Sequence, residues 1–141
     1  MARKLLDLSA TVPYISPSDK EEPKTVYELG VLDTRIRKML EDIAWEYETT
    51  PGAPESAKAK ASFNIGKSEL DLVAFGLKGF KNLFKAGGQQ AQFSTEPRIV
   101  NGKTYHVLSE DILKIIPGDL ITELANKIKE INSIGEEDRK N

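Results

Sequence analysis

The sequence predicts an α+β domain: a small antiparallel sheet including a β-hairpin, packed with three to four amphipathic helices and preceded by an extended N-terminal arm. Three observations carry that expectation. RIVNGKTYHV, residues 98–107, sets Asn101-Gly102 between two β-prone runs, the pattern of a two-residue type I′ hairpin with positive φ at both turn residues. TVYELGVL, residues 25–32, alternates apolar and polar positions as a half-buried strand does, and the residues behind it switch to a helical period. Further apolar stripes of helical spacing are separated by Pro and Gly breaks.

Taken in order, LLDL at 5–8 reads as a short first strand. PYISPSDKEEP, residues 13–23, holds three prolines and a charge cluster and reads as an extended arm. With few anchors beyond Val12, Tyr14 and Ile15, residues 9–24 are expected to gain order only against another subunit, with Tyr14 and Ile15 as the buried contacts. In the strand at 25–32, Gly30 marks a bulge or bend. Asp33 is the expected N-cap of a helix over 34–49, whose Ile36, Leu40, Ile43 and Tyr47 recur at helical spacing, widened by Met39 and Ala44. TTPGAPES, residues 49–56, breaks it as a loop.

A second helix is predicted over 69–84, with Leu70, Val73, Ala74, Leu77, Phe80 and Phe84 on one face. Gly76 and Gly79 interrupt it. Each costs about 1 kcal/mol relative to alanine inside a helix, which implies close packing against a neighbour. QAQF at 90–93 reads as a strand leading into the hairpin. Ser109 then caps a short helix, EDILKII, with Ile112, Ile115 and Ile116 inward, and Pro117-Gly118 ends it. The last helix, 119–132, carries Leu120, Leu124, Ile128 and Ile131 on a stripe, with Glu123 four residues before Lys127. The organisation expected is an N-terminal strand and arm over 1–24, one α+β domain over 25–132, and a polar tail over 133–141.

Composition excludes several function classes. A chain of 141 residues can bury a core without metals or disulfides. Twenty basic residues against 22 acidic ones disfavour a strongly basic nucleic-acid binder. With no cysteine and one histidine, neither a disulfide framework, a thiolate zinc site nor a histidine cluster can form. The N-terminal apolar run is too broken for a signal peptide or a membrane span, so a cytoplasmic protein without membrane contact is expected.

ASFNIGKS, residues 61–68, fits a loose phosphate-loop pattern. Its interior Ser62, Phe63, Asn64 and Ile65 include no glycine, and two are too bulky to let backbone amides close on a phosphate. ESAKAKA before it is no buried strand. The preferred reading is an edge strand at Phe63 and Ile65, a turn at Gly66 and a helix cap at Ser68. His106 has no motif supplying a nucleophile or orienting carboxylate, and Glu41 and Asp42 point to different helix faces. No catalytic, metal or cofactor-binding residues are assigned. On the predicted second helix, Lys78, Lys81 and Lys85 fall at i, i+3 and i+7, a basic stripe suited to an acidic partner or phosphate.

TVYELGVLDTRIRKMLED, LVAFGLKGFKNLF with its glycine turn and QAQF, the hairpin, and LSEDILKIIPGDLITELANKIKEIN with its polar EEDRKN end resemble small morphogenesis proteins of tailed bacteriophages, of the tail-assembly or head-to-tail type. The resemblance spans most of residues 24–141. It implies a non-enzymatic protein of virion assembly, a structural component or tail-assembly chaperone. Its expected partners are other phage structural or assembly proteins and copies of itself, in the host cytoplasm or the virion. No site residue is carried over from it. The rival expectation is a phage-encoded inhibitor or regulator of a host protein or nucleic acid, working through the Lys78, Lys81 and Lys85 face.

Overall fold

The computed structural model describes residues 4–48 and 67–132. The fold is α+β, with two small antiparallel sheets and four helices among the described residues. Strands β1 (Thr11–Tyr14), β2 (Val26–Gly30) and β3 (Leu77–Lys81) form one sheet in the order β1-β2-β3, and β4 (Thr95–Val100) with β5 (Lys103–Leu108) forms the other. Helix α1 spans Thr34–Glu48, α2 covers residues 67–76, α3 is Glu110–Leu113 and α4 is Gly118–Asn132. The predicted loop at 49–56, the edge strand at Phe63 and Ile65 and the tail at 133–141 lie outside the described residues, as do the side chains at Ile43, Ala44 and Tyr47.

The first strand is not LLDL but Thr11–Tyr14, inside the stretch read as an arm. It pairs with β2 of its own chain from Thr11 opposite Gly30 to Tyr14 opposite Tyr27. Pro13 is tolerated because β1 is an edge strand. The connection back to β2 is tied down by local hydrogen bonds. The Asp19 amide donates to the Ser16 carbonyl at 3.1 Å, and the Thr25 amide donates to the Asp19 carboxylate at 2.8 Å. The stretch from Thr11 to Thr25 is thereby tied to its own chain's sheet, because β2 offers a free edge that β1 satisfies.

The second correction concerns the helix expected at 69–84. It ends at Gly76, and the chain passes directly into β3. The register pairs Leu29 with Leu77 and Glu28 with Gly79, so Lys78 is the extra residue of a bulge in β3. Pairing with β2 outweighs the helical spacing of Leu77, Phe80 and Phe84. Gly76 is required by proximity: a Cβ there would come within 2.8 Å of Ile128 on α4. The QAQF strand is only a bridge from Gln90 to Phe84, with the Ala91 amide donating to the Leu83 carbonyl at 2.7 Å. The hairpin is as expected, with φ of 51° at Asn101 and 80° at Gly102.

The core is one cluster built from Leu29 of β2, Leu32 in the connection to α1, Ile36 and Leu40 of α1, Leu72, Val73 and Phe75 of α2, Val107 and Leu108 of β5, and Leu124 and Ile128 of α4. Asn132 is buried at its edge and fully used. Its Oδ1 accepts from the Leu32 amide at 2.8 Å and from Arg37 at 3.2 Å, while its Nδ2 donates to the carbonyls of Ile128 at 2.9 Å and Gly30 at 3.2 Å. The end of α4 is thereby fastened to the turn between β2 and α1. Ser68 lies inside α2 and is not its cap. Ser109 occupies the N-cap position of α3, but its hydroxyl bonds Ser94 at 2.7 Å and not the helix amides. Ile112 and Ile116 are buried, whereas Ile115, expected inward, is 52% exposed.

Candidate functional site

Two clefts and a groove stand out on the folded chain. The groove lies where the turn at 83–91 meets the corner between α3 and α4. Leu83, Phe84 and Ala91 form one wall, Ile112, Ile115, Ile116 and Leu120 the other, and the volume is about 590 Å³. Pro117, in the short connection between the end of α3 at Leu113 and the start of α4 at Gly118, also lies on the lining. Phe84 and Ile115 are about half exposed here, at 51% and 52%. Lys85 is the cation on the groove's lining.

A smaller cleft of about 250 Å³ lies between the start of α1, β3 and β5. Asp33 organises it. Its Oδ1 caps α1 by accepting from the Ile36 amide at 2.9 Å, and its Oδ2 accepts from the Tyr105 hydroxyl at 2.8 Å and faces the Lys103 ammonium at 3.8 Å. Burial pushes the Asp33 carboxyl up, but the Ile36 and Tyr105 hydrogen bonds and the Lys103 and Arg35 charges outweigh it and hold the group below its usual value. Lys78 leans over Gly30, whose position would place a Cβ 2.6 Å from the lysine Cγ. Desolvation lowers its ammonium pKa, partly offset by Asp33.

The second cleft, about 480 Å³, lies beside α2 and is lined by Lys67, Asp71 and Arg98. Asp71 holds both cations at 3.3 Å, so Lys67 of the phosphate-loop pattern is paired with a carboxylate. The interior of that pattern, 62–65, lies outside the described residues. Comparison with family models, with curated proteins and with solved structures returned no match. The functional reading therefore rests on residues and geometry.

The five residues expected to bind a partner do not converge. Tyr14 is half-buried against its own α4, its hydroxyl donating to Glu123 and the Lys127 ammonium lying 5.8 Å from its ring centre. Burial and the Glu123 carboxylate push the phenol up to about 12. Because Glu123 serves Tyr14, Lys127 pairs with Glu130 at 2.7 Å and not with Glu123. Ile15 remains 46% exposed. Lys78, Lys81 and Lys85 share no helical face, since the helix that would have aligned them ends at Gly76. Lys78 lines the Asp33 cleft, Lys81 ends β3 opposite Val26, and Lys85 reaches the apolar groove. Sequence reasoning missed Ile115, which helical spacing turned inward, and the meeting of Asp33 with Tyr105, which are 72 residues apart. His106 is exposed on β5 opposite Pro97. Among the described residues, no three acidic or histidine side chains are grouped to hold a metal ion, and no helix is long and apolar enough to cross a membrane.

Proposed function

We propose that the protein acts without catalysis, by protein-protein contact in bacteriophage virion assembly, and that it binds its partner through the groove between the 83–91 turn and the α3–α4 corner. The bacteriophage setting rests on the sequence resemblance over most of residues 24–141. The observation that carries the contact is the pair Phe84 and Ile115, large side chains that the core leaves half exposed on the lining of one apolar groove. An amphipathic helix fits such a groove by laying apolar side chains at i, i+3 and i+4 along it, with an acidic residue at the rim to meet Lys85. Covering the exposed halves of Phe84 and Ile115 contributes about 2–3 kcal/mol. A micromolar complex needs about 8 kcal/mol, so further contacts along the groove must supply the rest, whether the protein is a tail-assembly chaperone or a structural component.

The test is made in the phage that carries the gene. Phe84→Asp combined with Ile115→Asp should leave thermal unfolding of the purified protein nearly unchanged and stop particle formation, seen by electron microscopy as accumulated incomplete heads or tails. Normal particle yield from the double variant would refute the reading. Mass spectrometry of purified wild-type particles separates the two roles, since a chaperone is absent from them. A regulator of a host protein using the same groove would leave particle morphology intact while reducing the phage burst.

A further inference from the structure

The geometry points to the cleft between the start of α1, β3 and β5 as a binding site for a small oxyanion, a phosphate or carboxylate group, held by Lys78 and Lys103. This inference is independent of the apolar groove. Two cations, Lys78 and Lys103, line the cleft with one carboxylate, Asp33, which leaves it with an excess of positive charge. Asp33 balances only one of the two. Both of its oxygens are already engaged by the Ile36 amide and the Tyr105 hydroxyl, and Lys103 sits at 3.8 Å, beyond hydrogen-bond length.

Lys78 has no carboxylate within ion-pair distance among the described residues. Its stem is nonetheless packed. The bulge in β3 turns it out of the ladder, and its aliphatic stem lies over Gly30, which places this exposed lysine on the wall of the cleft. Lys103, next to the tight turn, lies with its ammonium 5.2 Å from the Tyr105 ring centre. Thr104 and His106 complete the polar lining. The Tyr105 hydroxyl donates to Asp33, so the anion's donors are the two ammonium groups and the Thr104 hydroxyl. At about 250 Å³, the cleft has room for a single oxyanion and the first atoms attached to it.

The experiment follows backbone amide resonances of the full chain by NMR while sodium phosphate, sodium acetate or sodium chloride is added at matched ionic strength. Saturable shifts at Lys78, Thr104, Tyr105 and His106 are expected with phosphate or acetate and not with chloride, and the tighter of the two identifies the group. Lys78→Gln with Lys103→Gln should weaken that binding by about tenfold or more while the melting temperature stays within a few degrees. Shifts that follow ionic strength whatever the anion would overturn the proposal. So would saturable binding of unchanged strength in the double variant. Should the double variant unfold, Lys78→Arg with Lys103→Arg keeps both charges, and loss of saturable binding in that folded variant would likewise count against the site.

Discussion

Asn132 shows how much one side chain can fasten when all its polar atoms are used. Replacing it with leucine leaves the Leu32 amide and the Gly30 carbonyl without their buried partner. The expected loss is about 2–4 kcal/mol, read as a lower urea midpoint with an unchanged slope. A loss below about 0.5 kcal/mol would mean water replaces the amide there. Asp33 allows a test by pH. Its folded-state value lies below 3.8, so the folded form binds fewer protons than the unfolded chain in acid. The stability it supplies is thus present above about pH 4 and is lost as pH falls through the folded value. The stability difference between the wild-type protein and Asp33→Asn should shrink below about pH 4, and a difference that stays constant into acid would refute the assignment. The cap at Asp33 was legible because it needs only its next three residues, whereas Asn132 was not, because Leu32 lies 100 positions away.

At the scale of elements, the hairpin was legible for the same local reason: an Asn-Gly turn between β-prone runs has one compatible geometry. Gly102 has no neighbour within 4 Å of a built Cβ, so Gly102→Val meets no clash and tests backbone strain alone. A loss of about 1–3 kcal/mol is expected. An unchanged midpoint would show that the turn relaxes to another type. LKGFK was misread because a short run with apolar residues at positions 77 and 80 satisfies a helical period, while the partner that makes it a strand lies some fifty residues earlier. The lysine stripe followed from that one choice of period. The groove was illegible for a related reason, since Ile115 lies past the end of α3 at Leu113, where the helical spacing that turns it inward no longer applies.

Across the whole molecule, β1 makes the amino-terminal region a part of the fold in two unequal pieces. Leu5 is 96% exposed and Leu6 44%, whereas Thr11 to Tyr14 complete a sheet. Deleting residues 1–6 should leave thermal unfolding nearly unchanged, and deleting residues 1–20 should cost on the order of 2–4 kcal/mol in the isolated chain. Equal melting of the two truncated proteins would show that residues 7–20 contribute nothing to the folded sheet. The clamp at Asn132 also sets an order in time. A ribosome makes Leu29, Leu32, Ile36 and Leu40 about a hundred residues before it makes the helix end that closes over them. Until α4 is made the cluster lacks Leu124 and Ile128, and a nascent chain halted before residue 132 leaves apolar surface open to aggregation and to capture by the cell's folding helpers.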